Sequence, residues 1–579
     1  MRRSLPVVDA GLFLIIFLVP LAWTNLVSAE FTLPKFLALN AALALAAWGA
    51  AWRPTALASG RTAFDLPILA GLFILGLASA ASTDPSTSLL GRYNSYAYGL
   101  WGFSLLAASY QLAARSARSH EAARASWLVW AAAIVGGYGI LQKLGFDPLL
   151  QVYRLPEGRR AISTIGSPVD LGALLALVWP LSLWRFDAER KPTPAIAVIL
   201  IAGGLVASAS RGAWLAAAVG AAAYWLLSRR DPGTSLRPSL AATVAAVAAA
   251  VAWSFRPAAS ISDVARREVW KTALLAFAKR PLLGWGPDGF EDAFRLLRTD
   301  GFVAVMGSGR HQAYPHNDIL QVLAGSGLAG AAAFAWLLWM LARTARRALE
   351  APETRMLAAS LLAGLLALWV NLELNPLSSE VLAFAAVEVG LLVSLIGVES
   401  KAPLRRAPLL AVAAGLTVST LYCLGMTGAD MMFKAAVQAQ GARDFPAAKA
   451  LFTAARQSAP CELTYILGEV NAASDWLNAT NDAKDRLAVL ALVEADGRQA
   501  VACHPRQVNA RYAAGVAASM HADLGFKDHL VISARELDEA LLLDPKFAPL
   551  IQSRLKIARL MGDAPLVSEL ERLPAASPR

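Results

Sequence analysis

Charged residues are scarce in this chain of 579 residues. They make up 16% of it, against 56% hydrophobic residues, and the mean hydropathy is +0.48, whereas soluble domains carry about 25% charged residues. Cysteine is also rare, with three in the chain. Because these three form no CxxC pair, a zinc or thiol-redox site has little support. A string of ordinary soluble domains is therefore excluded.

Long apolar runs stand where charge is missing. Runs of the roughly 17 to 25 residues needed to cross a bilayer recur from Gly11 to Met426, and the sequence after Asp430 contains none. The sequence predicts an all-α fold, with a polytopic membrane helix bundle over residues 1–429 and a soluble α-helical domain over 430–579. The thirteen predicted spans run near 10–29, 36–52, 66–82, 97–113, 125–142, 168–184, 195–209, 212–228, 239–255, 319–342, 356–372, 379–398 and 407–426.

The net charge of +11 lies in the predicted bundle. From Asp430 onward the chain has 17 Lys or Arg and 18 Asp or Glu, so the positive excess lies before this residue. It falls in short clusters on one side of the alternating loops, which the positive-inside rule assigns to the cytoplasm. We therefore expect a multi-span membrane protein that contacts lipids and no nucleic acid, with a cytoplasmic N-terminus and the domain over 430–579 on the opposite, periplasmic side.

Two larger loops, 143–167 and 256–318, fall on the predicted periplasmic side. Residues 1–29 also resemble a signal peptide ending in Val27-Ser28-Ala29. Their apolar run is long for a signal, so we expect it to stay as the first span. Cleavage would leave the remaining orientation unchanged.

The domain over 430–579 has helical segments with small residues at repeated spacings, and a proline closes each unit, as in Asp544-Pro545. The pattern resembles tetratricopeptide repeats, whose paired helices stack through Ala and Gly contacts. Such a domain can dock a protein partner or acceptor, or simply cap the membrane domain. Cys461 and Cys503 can pair in an oxidising periplasm or remain as buried thiols.

Ser210-Arg211-Gly212 occupies a very short turn between two spans on the predicted periplasmic side. An arginine there runs against the charge rule. Its guanidinium group can extend to lipid headgroups, or it can bind phosphate oxygens through its fixed fork of donors.

The long loop begins with an amphipathic helix. Trp270, Leu274 and Phe277 recur at helical spacing, and Arg266 lies one turn before Trp270 on the same face. A helix lying on the membrane with its arginines at headgroup level has the same pattern. The glycine-rich segment 283–290 that follows predicts a turn whose backbone approaches another surface closely.

Tyr314-Pro315-His316-Asn317-Asp318 stands directly before the tenth span. With an unperturbed pKa of about 6.5, a histidine at the mouth of a membrane cavity can remove a proton from a hydroxyl group. It can equally be an interfacial polar residue. The GxGxxG sequence of Gly325 to Gly330 lies inside an apolar run with no preceding strand, so it predicts close packing and no dinucleotide site.

Together these segments resemble the O-antigen ligase and polymerase family of bacterial membrane glycosyltransferases over roughly Arg159 to Ala342. The segments that carry the resemblance are Arg160 to Pro168, Ser210-Arg211-Gly212, Arg266 to Trp270, Pro281 to Phe290 and Pro315 to Gly330. The resemblance implies a GT-C-like helical fold. It also implies transfer of a glycan from an undecaprenyl-diphosphate carrier to an acceptor hydroxyl, with no metal and no cofactor.

By motif position, the resemblance assigns Arg211 and Arg266 to the diphosphate, with Arg267 and Arg160 as second choices, and His316 to the acceptor proton. In the family a second histidine often precedes this one by two residues, where Tyr314 stands here. The absence of a DxD-like acidic pair from the first predicted periplasmic loop agrees with a metal-independent reaction. The acceptor can be a lipid, a growing glycan or a protein.

Other functions remain open from the sequence. A protein O-oligosaccharyltransferase of the same family differs only in its acceptor. A flippase or transporter would place polar groups at mid-membrane, where Glu388 lies, with Asp170 and Glu373 near span ends. A scaffold that recruits polysaccharide enzymes would act through 430–579 alone.

Overall fold

The computed structural model describes residues 6–54, 57–58, 60–116, 120–148, 160–228, 261–397 and 405–573, in which secondary structure is helical without any strand. Parts of both long loops and the predicted span 239–255 lie outside the described residues. The same is true of several basic residues used for orientation, namely Arg2, Arg3, Arg118, Arg229, Arg230, Arg237 and Lys401.

The first sixteen helices form the bundle and the long loop. They are α1 (Pro6–Leu21), α2 (Thr32–Trp52), α3 (Asp65–Ala80), α4 (Pro85–Leu90), α5 (Leu100–Arg115), α6 (Glu121–Lys143), α7 (Pro168–Glu189), α8 (Pro192–Ser208), α9 (Arg211–Ser228), α10 (Ile261–Lys279), α11 (Phe290–Leu297), α12 (Asp300–Met306), α13 (Asp318–Glu350), α14 (Arg355–Leu372), α15 (Ser379–Ile396) and α16 (Arg406–Gly441).

Every predicted span within the described residues has a helix. Seven of these helices, α2, α6, α7, α13, α14, α15 and α16, are long and apolar enough to cross a membrane by length and composition. The all-helical membrane fold is thus confirmed, and the total of thirteen spans stays a prediction. The first span was placed too far along, because α1 ends at Leu21 and the chain turns before α2.

Helix α7 is the centre of the bundle, and its residues 171–184 are all buried. Small residues let its neighbours approach. A side chain on Gly172 would lie 2.6 Å from the Cβ of Ala213, and one on Gly204 would lie 2.6 Å from the Cα of Gly136. Close backbone approach of this kind is how helices associate in lipid, where dispersion replaces the hydrophobic effect.

Loops gather at two ends of the bundle. One end, which we call the basic end, holds ion pairs such as Arg115 with Asp65 at 2.7 Å and the buried Arg124 with Asp9 at 2.8 Å. The other, the tail-side end, gathers the 82–99, 160–167, 209–211, 280–317 and 373–378 segments. This grouping matches the sides predicted from charge, and the assignment of each end to a compartment stays a prediction.

Residues 430–573, here the tail domain, continue as antiparallel helices. They are α17 (Phe445–Ser458), α18 (Leu463–Ala479), α19 (Ala483–Cys503), α20 (Val508–Asp523), α21 (His529–Leu543), α22 (Ala548–Met561) and α23 (Ala564–Glu571). Cys461 and Cys503 form a disulfide. The predicted boundary at Asp430 falls inside α16, so one helix leaves the bundle and becomes the first helix of the tail. The tetratricopeptide assignment stays a prediction.

The tail domain is fastened to the tail-side end by charged contacts. Arg298 after α11 donates to Asp544 at 2.6 Å, and both side chains are buried. His504 contacts Asp84 at 3.0 Å, and the Asp430 carboxylate accepts from the backbone N–H groups of Ser28 and Ala29. The tail therefore packs on the bundle as a cap, one of the two predicted roles.

Candidate active site

The turn that carries Arg211 is as short as predicted, since α8 ends at Ser208 and α9 begins at Arg211. Arg160 joins it from the loop before α7, where its Nε donates to the Ser208 carbonyl at 2.9 Å. Burial, and the positive charge of Arg211, lower the pKa of Arg160. Neither arginine forms an ion pair with a described residue, so within the described part of the chain no carboxylate neutralises these two neighbouring cations.

This arginine pair is close to the His316 loop. A Cβ on Gly212 would lie 3.4 Å from the Asn375 amide nitrogen. Asn375 also lines a small cleft together with Tyr98, His316 and Gln321. The α8–α9 turn, the segment after α14 and the loop before α13 thus meet at one place, as the sequence resemblance required.

His316 is held in an uncommon backbone conformation. Its φ is +55°, which few residues other than glycine adopt, and the Nδ1 atom is buried with no hydrogen-bond partner among the described residues. The next residue, Asn317, caps α13 by accepting from the Leu320 N–H at 2.9 Å and donates to the Glu373 carboxylate. The cap fixes the loop against the helix end, so the imidazole position is set by the backbone.

Arg266 faces His316 from α10. Burial, and then the positive charge of Arg266, lower the pKa of His316 to about 4. The ring is therefore neutral near pH 7, and a neutral imidazole can accept a proton. Arg267, the next residue, is exposed and acts on Glu268. Of the two predicted arginines on this helix, the structure places Arg266 at the histidine and Arg267 in solvent.

The predicted apolar face of α10 is wrong in detail. The buried residues are mostly small, with Ala265, Val269 and Ala276 at the centre, whereas Leu274 is 52% exposed. Small side chains let α10 lie close against α11 to α13, which leaves the bulky residues on the outside. The exposed leucine is compatible with a helix lying on a lipid surface, and the membrane-surface and anion-binding interpretations of this helix both stay predictions.

The glycine-rich turn after α10 makes the close approach that the sequence predicted. The N–H groups of Trp285 and Gly286 donate to the carbonyls of Ala324 and Gly325, both at 2.9 Å. They can do so because α13 breaks at Gly327, where φ is +62°. The GxGxxG sequence therefore serves packing, as expected, although its partner is a turn rather than another helix.

A charged network that sequence reasoning missed holds the loop over the bundle. Arg92, from the segment before α5, pairs with Glu291, and its backbone N–H donates to Asp288 at 2.6 Å. Burial alone would raise the pKa of Glu291, but Arg92 and then Arg295 outweigh it and lower the pKa to about 2. Arg92 lies in a loop otherwise poor in basic residues, and this isolated position is the one sequence feature that could have pointed to the network.

Tyr314 occupies the position of the family's second histidine. Its hydroxyl donates to Ser95 at 2.9 Å, and burial, followed by the negative charge of Asp288, raises its pKa far above the ordinary value. The phenol therefore stays protonated near pH 7 and is not a proton acceptor there. Its contacts fix the loop instead.

Two of the acids that the sequence places near or within predicted spans, Asp170 and Glu388, differ in their hydrogen bonding. Asp170 accepts from the Ser378 N–H at 2.8 Å and so fixes the chain before α15. Glu388 is fully buried, and neither carboxyl oxygen has a hydrogen-bond partner among the described residues. Among the described residues, therefore, no hydrogen bond to a neighbouring helix explains this buried acid.

Comparison with known protein families fits this geometry. The family model described as O-Antigen ligase matches residues 196–335, a segment that contains Arg211, Arg266, Arg267 and His316 but not Arg160. No curated protein matches the chain. The fold is that of an α-helical membrane protein, and the match over residues 196–335 supports, in general terms, a glycosyl-transfer function of the ligase or polymerase type. This segment is similar to the O-antigen ligase family.

Proposed function

We propose that this protein transfers a glycan from an undecaprenyl-diphosphate-linked donor to an acceptor hydroxyl at the periplasmic face of the inner membrane. The observation that carries the proposal is a buried His316, whose pKa is lowered by burial and by the nearby positive charge of Arg266, inside the segment that matches the ligase family. Arg211 and Arg160 supply a second pair of cations beside the same cleft.

The donor diphosphate is the ligand that these cations suit best. When the acceptor oxygen forms its bond to the anomeric carbon, the bond from that carbon to the diphosphate oxygen breaks, and its electron pair goes to the diphosphate. Fixed guanidinium groups stabilise this growing negative charge without having to reorient. Arg211 and Arg266 take this role. Arg160 adds a second positive charge beside Arg211, and the exposed Arg267 has a smaller role in binding the diphosphate.

His316 takes the proton that the acceptor hydroxyl loses. The neutral ring lines a small cleft, and its Nδ1 atom has no hydrogen-bond partner among the described residues. Because the ring is buried, bulk water is excluded from it. A bound diphosphate adds negative charge near the ring, which opposes the effect of Arg266 and raises the pKa of His316. The base therefore becomes stronger when the donor is present.

The disulfide between Cys461 and Cys503 favours an oxidising compartment for the tail domain. This agrees with the charge-based orientation, which puts the arginines, His316 and the tail in the periplasm. A transporter is less suitable, because the cations and the histidine gather at the tail-side end and not at the middle of the bundle.

The proposal is tested with purified full-length protein, a synthetic polyprenyl-diphosphate oligosaccharide and three acceptors, namely lipid A core, a glycan and a pilin-like protein. Mass spectrometry of the product identifies which acceptor gains the oligosaccharide, and so separates ligase, polymerase and protein-glycosylating activities. Release of glycan onto none of the acceptors, with donor translocated across proteoliposomes instead, would contradict the proposal and favour the transporter.

A further inference from the structure

A second cavity lies between the bundle and the tail domain. Its volume is about 370 Å3, and we call it the junction cavity. One wall is the segment 90–96 with Tyr422 and Met426 of α16, and the other is the turn 458–464 with His504. Ligand pockets often lie at domain interfaces and begin at roughly 300 Å3, so the space suits a bound molecule.

Most charges around the junction cavity are paired within the chain. Arg92 pairs with Glu291, and Asp84 pairs with His504. Glu462 accepts from the Thr464 N–H, and burial raises its pKa above the ordinary value. A phosphate would find no available cation here, in contrast to the arginine pair of the candidate active site. The ligand that fits is polar and uncharged.

Aromatic rings and unused polar groups line the same space. Tyr93, Tyr96 and Tyr422 contribute rings, which offer flat apolar faces beside polar edges. The Tyr96 hydroxyl is buried without a side-chain partner, and the Arg92 Nε atom has no hydrogen-bond partner among the described residues. Sugars match this set, because a pyranose ring has an apolar C–H face that stacks on an aromatic ring and hydroxyls that both donate and accept hydrogen bonds.

The junction cavity is connected to the His316 cleft by a single piece of chain. Tyr96 lines the cavity and Tyr98, two residues later, lines the cleft, so their Cα atoms lie at most about 7 Å apart. The segment is sharply bent, with positive φ at Gly91, Asn94 and Tyr96. A tyrosine in this conformation is a true outlier, and such outliers concentrate at ligand sites.

We propose that the junction cavity is a saccharide subsite, which binds the uncharged sugar units next to the one that reacts at His316. The inference rests on the proposed function and adds where the rest of the sugar chain lies. The sugars belong either to the donor glycan or to a glycan acceptor, and both have the same chemistry at this site.

Variants of two tyrosines test the subsite, with transfer measured at varied glycan length. Tyr422→Ala removes a half-exposed ring, and Tyr96→Phe removes only a hydroxyl. Each should raise KM for a long-chain substrate by about three- to tenfold, the effect of one aromatic or hydrogen-bonding contact, and leave a one-sugar substrate unaffected. Leu421→Ala is the matched control, since Leu421 is 61% exposed on the same helix and outside the cavity.

Varying donor length in one arm and acceptor length in the other identifies the source of the sugars. Dependence on donor length assigns the subsite to the donor, and dependence on acceptor length assigns it to the acceptor. Unchanged KM in both tyrosine variants at every length would overturn the subsite while leaving the proposed function intact.

Direct binding separates the two proposals. Equilibrium dialysis of full-length protein against a free oligosaccharide requires no transfer. Binding that Tyr422→Ala weakens and Leu421→Ala does not supports the subsite, even if transfer is absent and the proposed function fails. Absence of saturable binding to the wild-type protein at millimolar oligosaccharide overturns it.

Discussion

The tail-side end contains two groups of charged residues with opposite designs. At the interface between bundle and tail, the buried arginine has a carboxylate partner, as in Arg298 with Asp544, and Lys546 pairs with Asp300. In the candidate active site, Arg160 and Arg211 lie close together with no ion pair to a described residue. The interface pairs are thus neutralised within the described chain, and under the proposed function the active-site pair is available to an anionic ligand.

The arginines of the candidate active site that have no ion pair to a described residue carry an electrostatic cost, which indicates that they are kept for a purpose. Placing two guanidinium groups near each other is unfavourable: burial first, and then the charge of Arg211, lowers the pKa of Arg160, and a folded chain could relieve the repulsion with one Asp or Glu. The interface shows that this chain pairs buried charges where only structure is required. A ligand that supplies negative charge explains why the active-site pair was left as it is.

The largest effect is expected from His316→Ala. Loss of a positioned base should lower transfer by about 10² to 10⁴-fold, measured as product formed by purified protein from a polyprenyl-diphosphate oligosaccharide. His311→Ala is the control, because His311 is exposed beside Glu291 and away from the cleft. Equal activity of the two variants would remove His316 from the proposed mechanism.

Arg266→Ala should lower kcat/KM by about 10² to 10³-fold, the usual effect of deleting one donor to a developing negative charge. Arg266→Lys should recover part of this loss, since it keeps the charge and loses the fork of donors. Arg267→Ala should cost less than Arg266→Ala because its side chain is exposed, and Lys271→Ala on the same helix should cost nothing. If Arg267→Ala proved the more damaging, the orientation assigned to α10 would be wrong.

Arg298→Ala tests the neutralised interface. It leaves Asp544, which is fully buried, without its nearest partner, and removing one member of a buried pair costs about 3 kcal/mol or more. We expect faster deuterium exchange around residues 544–550 and a lower thermal midpoint. Arg346→Ala breaks an exposed pair with Glu350 and should change neither, because surface pairs contribute little. The same result for both variants would erase the distinction between buried and exposed pairs here.

The pH dependence of transfer sharpens the assignment of His316. In the free protein its pKa is about 4, so kcat/KM should fall only when the pH drops toward that value. The bound diphosphate raises the pKa, so kcat should begin to fall at a higher pH. Superimposable profiles for the two parameters would mean that no anion binds close to the ring.

The smallest effect concerns the Asp84–His504 contact. Burial opposes both charges, yet their mutual hydrogen bond lowers the pKa of Asp84 and raises that of His504. The Asp84 carboxylate therefore stabilises docking at pH values above its undocked pKa of about 3.9. The His504 imidazolium stabilises docking fully below its undocked pKa of about 6.5, and this stabilisation is lost as the pH rises through its higher docked pKa. Tail docking should weaken by about 1.5 kcal/mol on moving from pH 6 to pH 9, seen as faster exchange at residues 84–90. His504→Gln should abolish this pH dependence.

The sequence predicted those parts of the fold that follow from local pattern. Apolar run length located the spans, and the Ser210-Arg211-Gly212 turn came directly from the shortness of the gap between two of them. The α10 face went wrong because periodicity marks large residues, and here Ala265, Ala273 and Ala276 provide the contact surface. Close packing of small residues has no clear hydrophobic pattern.

The site itself was only partly predictable. Motif order suggested Arg211, Arg266 and His316, but it could not identify their neighbours, since Asn375 is far away in the chain and contributes through the segment after α14. Nor could spacing show that Arg92 pairs with Glu291, a contact between residues nearly 200 positions apart. The neutral state of His316 depends on burial and on Arg266, which are properties of the folded chain.

Helix α16 runs for 36 residues without a break, a length of about 54 Å at 1.5 Å per residue. Because this helix is continuous from the bundle into the tail domain, the tail is held at a fixed orientation to the bundle, unlike a domain on a flexible linker. Any ligand that bound the tail would therefore meet the tail-side end in a fixed position, with no linker length to set its effective concentration.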